Sequence, residues 1–259
     1  MKNIFSLEGK RAVVIGGAGG LGRAIVAGLA SFGATVCVAD RSQEILDRAE
    51  SELIAEYGIN VLTCVVDVSE EASVLALAET VRNTMGGVDI LVNSQGLNKK
   101  VPSVSIDMDD WDNVFRVNVR GMLLVCRTMA REFMIPQRYG KIITISSIRG
   151  IRALNGEGNT AYSTSKGAVE MLTKSLAGEW GRYNITVNAI GPIITETPMM
   201  KAILAADPVM KEKTAAFAPL GRLGLPEDTV GPAVFLASDA SAFVTGQTIY
   251  PDGGTAAVC

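Results

Sequence analysis

Short, mostly continuous apolar runs recur along this chain, each separated from the next by a longer segment with helical periodicity. The runs are RAVVI (Arg11–Ile15), TVCVA (Thr35–Ala39), VLTCVV (Val61–Val66), DILV (Asp89–Val92), KIITIS (Lys141–Ser146), ITVNAI (Ile185–Ile190) and QTIY (Gln247–Tyr250). A strand that is apolar at every position, rather than at alternate ones, belongs to a parallel sheet covered on both faces. Between the runs lie patterns such as LGRAIVAGLASF and EASVLALAETVRNTM, with apolar residues at helical spacing. Alternation of this kind implies right-handed crossovers and a doubly wound sheet. The 259 residues, 48% of them hydrophobic, suffice for one large core, and no repeat or linker divides them. The expectation is one α/β Rossmann domain over residues 1–259, with a mostly parallel seven-stranded sheet and helices on both faces.

Composition narrows the function. A net charge of −3 argues against a nucleic-acid surface, which needs clustered Lys and Arg. Neither a signal-peptide core nor a stretch of membrane-spanning length interrupts the pattern, so the chain reads as a cytoplasmic protein without a membrane partner. The four cysteines are scattered, without metal-ligand spacing. Histidine is absent, which excludes Ser-His-Asp hydrolysis, His-ligated metals and any imidazole base. Acid–base work falls to Tyr, Lys, Asp, Glu or Cys.

Directly after the first run stands Gly16-Gly17-Ala18-Gly19-Gly20-Leu21-Gly22, with Arg23 opening a helix. Glycines in the first strand–helix turn let the backbone approach a phosphate, which the helix N-terminus attracts. The spacing from Gly17 to Gly22 imitates a P-loop, but Arg23-Ala24 follows where Lys and Ser or Thr would be required. A methyltransferase shares such a loop and stays open at this point. Asp40 ends the second run, where a carboxylate accepts from ribose hydroxyls and repels a 2′-phosphate, favouring NAD over NADP. Its competing reading is a cap for the helix starting near Ser42, and the adjacent Arg41 offers a guanidinium to a 2′-phosphate. Asp67-Val68 and Asn93-Ser94-Gln95-Gly96 also end runs, at the sheet edge where ligands bind.

Tyr162 and Lys166 stand four residues apart in a helical segment, so their side chains share a face. A phenol, with a pKa of about 10, is a poor base unless a nearby ammonium stabilises its anion. Joined by a cationic nicotinamide, that pair takes an alcohol proton as hydride leaves, or returns it. Ser147, at the end of the fifth run, adds a hydroxyl to orient the substrate oxygen; Ser146 competes for that role, but alternation lets only one point inward. Asn118 supplies a site for a water linking Lys166 to solvent.

Taken together these motifs resemble the short-chain dehydrogenase/reductase family over essentially the whole chain, which demotes the methyltransferase reading. The resemblance implies a cofactor loop at Gly16, Gly20, Leu21 and Gly22, a ribose contact at Asp40 and Arg41, and an adenine contact at Asp67 and Val68. It implies further cofactor contacts from Asn93, Tyr162, Lys166, Thr195 and Thr197, and a catalytic tetrad of Asn118, Ser147, Tyr162 and Lys166. The C-terminal FVTGQTIYPDGG matches the family's last strand. Departures are Ile15 for a Thr, Gln95 for a small Ala, Pro192-Ile193 for Pro-Gly, and a slightly longer segment between Ser147 and Tyr162. The implied activity is NAD(H)-dependent interconversion of a secondary alcohol and a ketone, without a metal, in a homotetramer.

Asn98-Lys99-Lys100 and Ser147-Ile148-Arg149-Gly150 resemble the gluconate 5-dehydrogenase branch, which acts on sugar acids and polyols. Arg149, with Arg152 and Lys99 as neighbours, is the candidate for a substrate carboxylate; the plain alternative is solvated loop charge. Residues 198–220 suggest a lid. Within enzymes the alternative is a 3-oxoacyl-thioester reductase. Outside enzymes it is a non-catalytic NAD-binding sensor or scaffold, against which the complete tetrad argues.

Overall fold

In the computed structural model, which describes residues 3–153, 156 and 158–258, seven parallel strands form one sheet in the order β3-β2-β1-β4-β5-β6-β7. They are β1 (Arg11–Ile15), β2 (Thr35–Asp40), β3 (Leu62–Val65), β4 (Ile90–Asn93), β5 (Gly140–Ile145), β6 (Ile185–Ile190) and β7 (Thr248–Ile249). All six pairings are parallel, so the sheet is wholly rather than mostly so. Strand order reverses between β1 and β4, and the crevice above that switch point is where an open α/β sheet takes its ligand.

Alternation along each strand splits the core in two. Val13, Ile15, Leu91 and Ile142 face the helices α3 (Glu71–Met85), α4 (residues 108–134) and α5 (Thr160–Trp180). Ala12, Val14, Ile90 and Ile143 face α1 (Gly20–Ser31), α2 (Gln43–Tyr57) and α8 (Val230–Ala237). Both faces are covered, which is why the runs read as apolar at every position. The helix α4 is a continuous succession of turns, Met108–Phe115, Arg116–Gly121, Met122–Met129 and Ala130–Met134, of which the second and fourth are π-helical.

Strand limits depart slightly from the apolar runs. Asp89 stands just before β4, its backbone still bonded to Arg11 and Lys141, and its carboxylate receives the backbone N–H and the guanidinium of Arg11 at 2.8–3.0 Å. Edge strand β3 is only half-covered, and β7 shortens to two residues that pair with Ala189 and Ile190. After β6 the chain forms α6 (Pro198–Ala206) and α7 (Pro208–Ala216), whose base is closed by a bridge between Thr195 and Gly224. Among the described residues no helix is long and apolar enough to cross a membrane.

Candidate active site

The turn between β1 and α1 closes only because it lacks side chains. Gly16 adopts φ +69°, and a Cβ built on Gly22 would stand 2.1 Å from the Gly16 carbonyl oxygen. A Cβ on Gly20 would meet the Thr197 methyl at 2.8 Å. The helix α1 begins after Gly19 with no side-chain cap, leaving its first N–H groups directed into the crevice. Closely approachable backbone with unpaired N–H donors suits a pyrophosphate, so the residues present fit a dinucleotide. Leu21 packs back onto the core beneath.

Asp40, at the end of β2, accepts from Ala18 N at 3.3 Å and from Arg41 N at 2.8 Å, which pins its carboxylate beside the glycine loop. It is not the cap of α2; Ser42 fills that position and accepts from Ile45 N. Arg41 is exposed next to it. Asp67 receives the N–H and hydroxyl of Ser69, which hold its carboxyl below the usual range, while Val68 is buried against Gly121 of α4. Asn93 is fully buried and donates to Cys126 Sγ, and its Oδ1 has no partner among the described residues. The amide of Gln95 is likewise buried and unpaired.

Ser147, Tyr162 and Lys166 come together at the C-terminal end of β5. The Ser147 hydroxyl reaches the Tyr162 phenol and also accepts from Arg149 N at 3.1 Å. Ser146 turns the other way, toward the Lys166 carbonyl, so alternation selects Ser147. The Lys166 ammonium lies 5.6 Å from the Tyr162 ring centroid and donates to the Ile145 carbonyl at 2.7 Å. Burial pushes its pKa down to about 8, against the pull of Glu170.

The phenol of Tyr162 is raised above its ordinary value, because burial outweighs the lowering influence of Ser147 and Arg149.

Asn118 sits in the first π-helical turn of α4, a feature frequent at functional sites. Its Oδ1 accepts from Leu97 N at 2.7 Å, and its Nδ2 donates to Leu97 O at 2.9 Å and Ser165 Oγ at 3.0 Å. Both amide hydrogens are thus committed, and the side chain clamps the loop after β4 against α5. That clamp brings Gly96 against the Lys166 ammonium: a Cβ there would be 3.6 Å from Nζ. Leu97 and Ser165 carry no signal of this role in the sequence, since their meeting with Asn118 is tertiary.

Of the three candidate cations, Lys99 pairs with Asp110 at 3.0 Å and Arg152 donates to the Thr255 carbonyl at 2.9 Å. Arg149 makes only a 3.5 Å contact to Ala153 O, has no carboxylate partner among the described residues, and is half-buried within electrostatic reach of Tyr162. Residues Leu154, Asn155 and Glu157 of the following segment lie outside the described residues. Thr195 is buried and donates to Ile193 O, while the Thr197 hydroxyl accepts from Met200 N at the start of α6. Thr197 stands over the glycine loop, through its contact with Gly20, while Thr195 pairs with Gly224.

This fold and this cluster define an oxidoreductase that works on hydroxyl and keto groups with a nicotinamide cofactor. The chain belongs to the short-chain dehydrogenase/reductase family: residues 16–256 match the family model described as enoyl-(acyl carrier protein) reductase. It is 38% identical to a gluconate 5-dehydrogenase of Gluconobacter oxydans over 97% of this chain and 96% of that protein. It is 36% identical to a 3-oxoacyl-[acyl-carrier-protein] reductase of Aquifex aeolicus, over 96% and 98% of the two chains. Among solved structures, a gluconate 5-dehydrogenase from Burkholderia cenocepacia, in complex with NADP and tartrate, superposes with a TM-score of 0.92 at 36% identity, covering 99% of both chains.

Proposed function

We propose that this enzyme interconverts the secondary alcohol and ketone of a sugar acid, using NAD(H). The observation that carries the reading is a half-buried Arg149, without a carboxylate partner among the described residues, beside the Ser147–Tyr162–Lys166 cluster: a site for an anion next to a site for alcohol chemistry. When bound, the nicotinamide accepts or returns the hydride. Tyr162 holds or moves the proton at the substrate oxygen, Ser147 orients that oxygen, and Lys166 stabilises the phenolate and donates to the nicotinamide ribose. Asn118 keeps the floor of the site in place through Leu97 and Ser165.

Gly16, Gly20, Leu21 and Gly22 would hold the pyrophosphate, Asp40 and Arg41 the adenine ribose, Asp67 and Val68 the adenine. Asn93, Thr195 and Thr197 would hold the nicotinamide half. Asp40 supports NAD, because its carboxylate is fixed at the loop by Ala18 N and would repel a 2′-phosphate. The relative from Burkholderia was solved with NADP, and Arg41 is the residue here that could serve that cofactor. The segment 198–220 acts as a lid, and the active form is a cytoplasmic homotetramer of single-domain subunits.

Similarity to gluconate 5-dehydrogenases and to a 5-keto-D-gluconate 5-reductase of Escherichia coli supports the sugar-acid class. Similarity to 3-oxoacyl-thioester reductases sustains the second reading. The deciding experiment offers gluconate-type acids, their uncharged polyol analogues and 3-hydroxyacyl thioesters, each with NAD⁺ and with NADP⁺. The sugar acid with NAD⁺ is expected to give the highest kcat/KM. Preference for the thioester, or for NADP⁺ throughout, would overturn the corresponding half of the proposal.

A further inference from the structure

One buried carboxylate has no place in the chemistry so far. Glu170 lies one helical turn beyond Lys166 on α5 and is only 6% exposed. Its Oε2 accepts from Thr248 Oγ1 of β7 at 2.5 Å, and its Oε1 has no hydrogen-bond partner among the described residues. Gly150 closes the turn from outside: a Cβ there would meet the Lys166 carbonyl at 2.9 Å and Glu170 Cγ at 3.0 Å. The missing side chain lets the segment after β5 lie directly on the Lys166–Glu170 turn and exclude water from it.

We propose that Glu170 is a positioning residue for Lys166, a fixed negative charge that keeps the buried ammonium protonated for cofactor and phenolate. The inference rests on the role given to Lys166 above. Among the described residues the nearest groups to the ammonium are neutral: the Ile145 carbonyl faces it from β5, Gly96 from the loop after β4, Asn118 from α4 and the Tyr162 ring from its own helix. Glu170 is the charged side chain one helical turn from Lys166, buried with it, and its pull favours the protonated form. Around Glu170 stand Thr248 and Tyr250; the phenol of Tyr250 is pushed up to about 12 by burial, by Glu170 and, more weakly, by Asp252. An ammonium with full burial and no such counter-charge would lose its proton near neutrality, and with it the hydrogen bonds the cofactor requires.

The test is the pH dependence of Glu170→Gln, which retains size and the Thr248 contact but not charge. Glu170→Gln is expected to stay within about twofold of wild type in kcat/KM at pH 6.5 and to fall about tenfold below it at pH 9, as Lys166 deprotonates earlier. Glu170→Asp keeps the charge and should restore most of the alkaline activity. A second readout is NADH affinity by fluorescence titration in a Tyr162→Phe background, where weakening with pH should begin lower in the Gln variant. Glu170→Met serves the same comparison if the Gln variant does not fold. Parallel pH profiles in both readouts, or an Asp variant that behaves as the Gln one, would overturn the proposal. Normal turnover by Tyr162→Phe would instead remove the reading of Tyr162, while the NADH comparison would still decide Glu170.

Discussion

The Lys166 ammonium stands 5.6 Å from the ring centroid of Tyr162 and spends one of its hydrogens on the Ile145 carbonyl at 2.7 Å. Three donors sit on one ammonium, so two remain to serve the phenolate side and the cofactor. The strand β5 thus fixes where the lysine stands beside the tyrosine, and the polar chain atom it uses for this is a backbone carbonyl that no substitution can remove.

Tyr162→Phe is expected to lower turnover by about 10²-fold or more, as for the loss of a positioned acid–base group. Cofactor binding should persist, because the glycine loop and Asp40 are untouched. In the wild type, alcohol oxidation should rise with pH, since the protonated phenol cannot act as base, and level off once Lys166, pushed down to about 8 by burial, loses its proton. Near-normal turnover in a folded Tyr162→Phe protein, measured alongside NADH titration, would count against the assignment.

Gly22→Ala should be far more damaging than its single methyl suggests. The added Cβ would lie 2.1 Å from the Gly16 oxygen and 2.9 Å from Gly17 Cα, both backbone atoms that cannot rotate away. Overpacking of this kind costs about 1–3 kcal/mol, and here it also spreads the loop that receives the pyrophosphate. The expected outcome is a lower Tm together with at least about a tenfold weaker dinucleotide affinity by titration. Unchanged binding would mean that the cofactor does not use this turn.

How much of this was legible beforehand depended on whether the determining contacts were local. Burial of the sheet on both faces forces apolar residues at every strand position, so the strands could be read from single runs. Tyr162 and Lys166 lie on one helix, so their shared face followed from periodicity, while Ser147 stands two residues beyond the end of β5. The pairing of the Asp89 carboxylate with Arg11 was not legible, because the two stand 78 residues apart. The clamp from Asn118 to Leu97 and Ser165 spans 21 and 47 residues, and the π-helical turn that presents Asn118 leaves no mark in an apolar period of 3.6. Glu170 looked like any polar helix residue until β7 was seen to cover it.

Asp40→Ala should weaken NAD binding and relax discrimination against NADP. The carboxylate is held at the loop by Ala18 N and Arg41 N, an arrangement that presents negative charge where a 2′-phosphate would lie. With it gone, exposed Arg41 is free to meet that phosphate. The ratio of kcat/KM for NAD⁺ over NADP⁺ should fall by about tenfold or more, the scale of one charge-assisted contact. A wild-type ratio already favouring NADP⁺ would show that Arg41, not Asp40, sets the preference.

Arg149→Ala tests the substrate class directly. The arginine follows Ser147 in the same short turn, lacks a carboxylate partner among the described residues and lies within electrostatic reach of the Tyr162 phenol. Its neighbours are spoken for: Lys99 by Asp110 and Arg152 by the Thr255 carbonyl. A guanidinium presents two parallel N–H donors that match the two oxygens of a carboxylate in one plane. Removing it should cost about 1.5–3 kcal/mol with a sugar acid, roughly a ten- to hundredfold fall in kcat/KM. An uncharged polyol of the same length should lose much less, because it offers no charge to meet. The comparison must be made on one protein preparation with the same cofactor, so that folding and cofactor affinity cancel. Equal losses on both substrates would assign Arg149 a structural role and remove the anion site on which the sugar-acid reading stands.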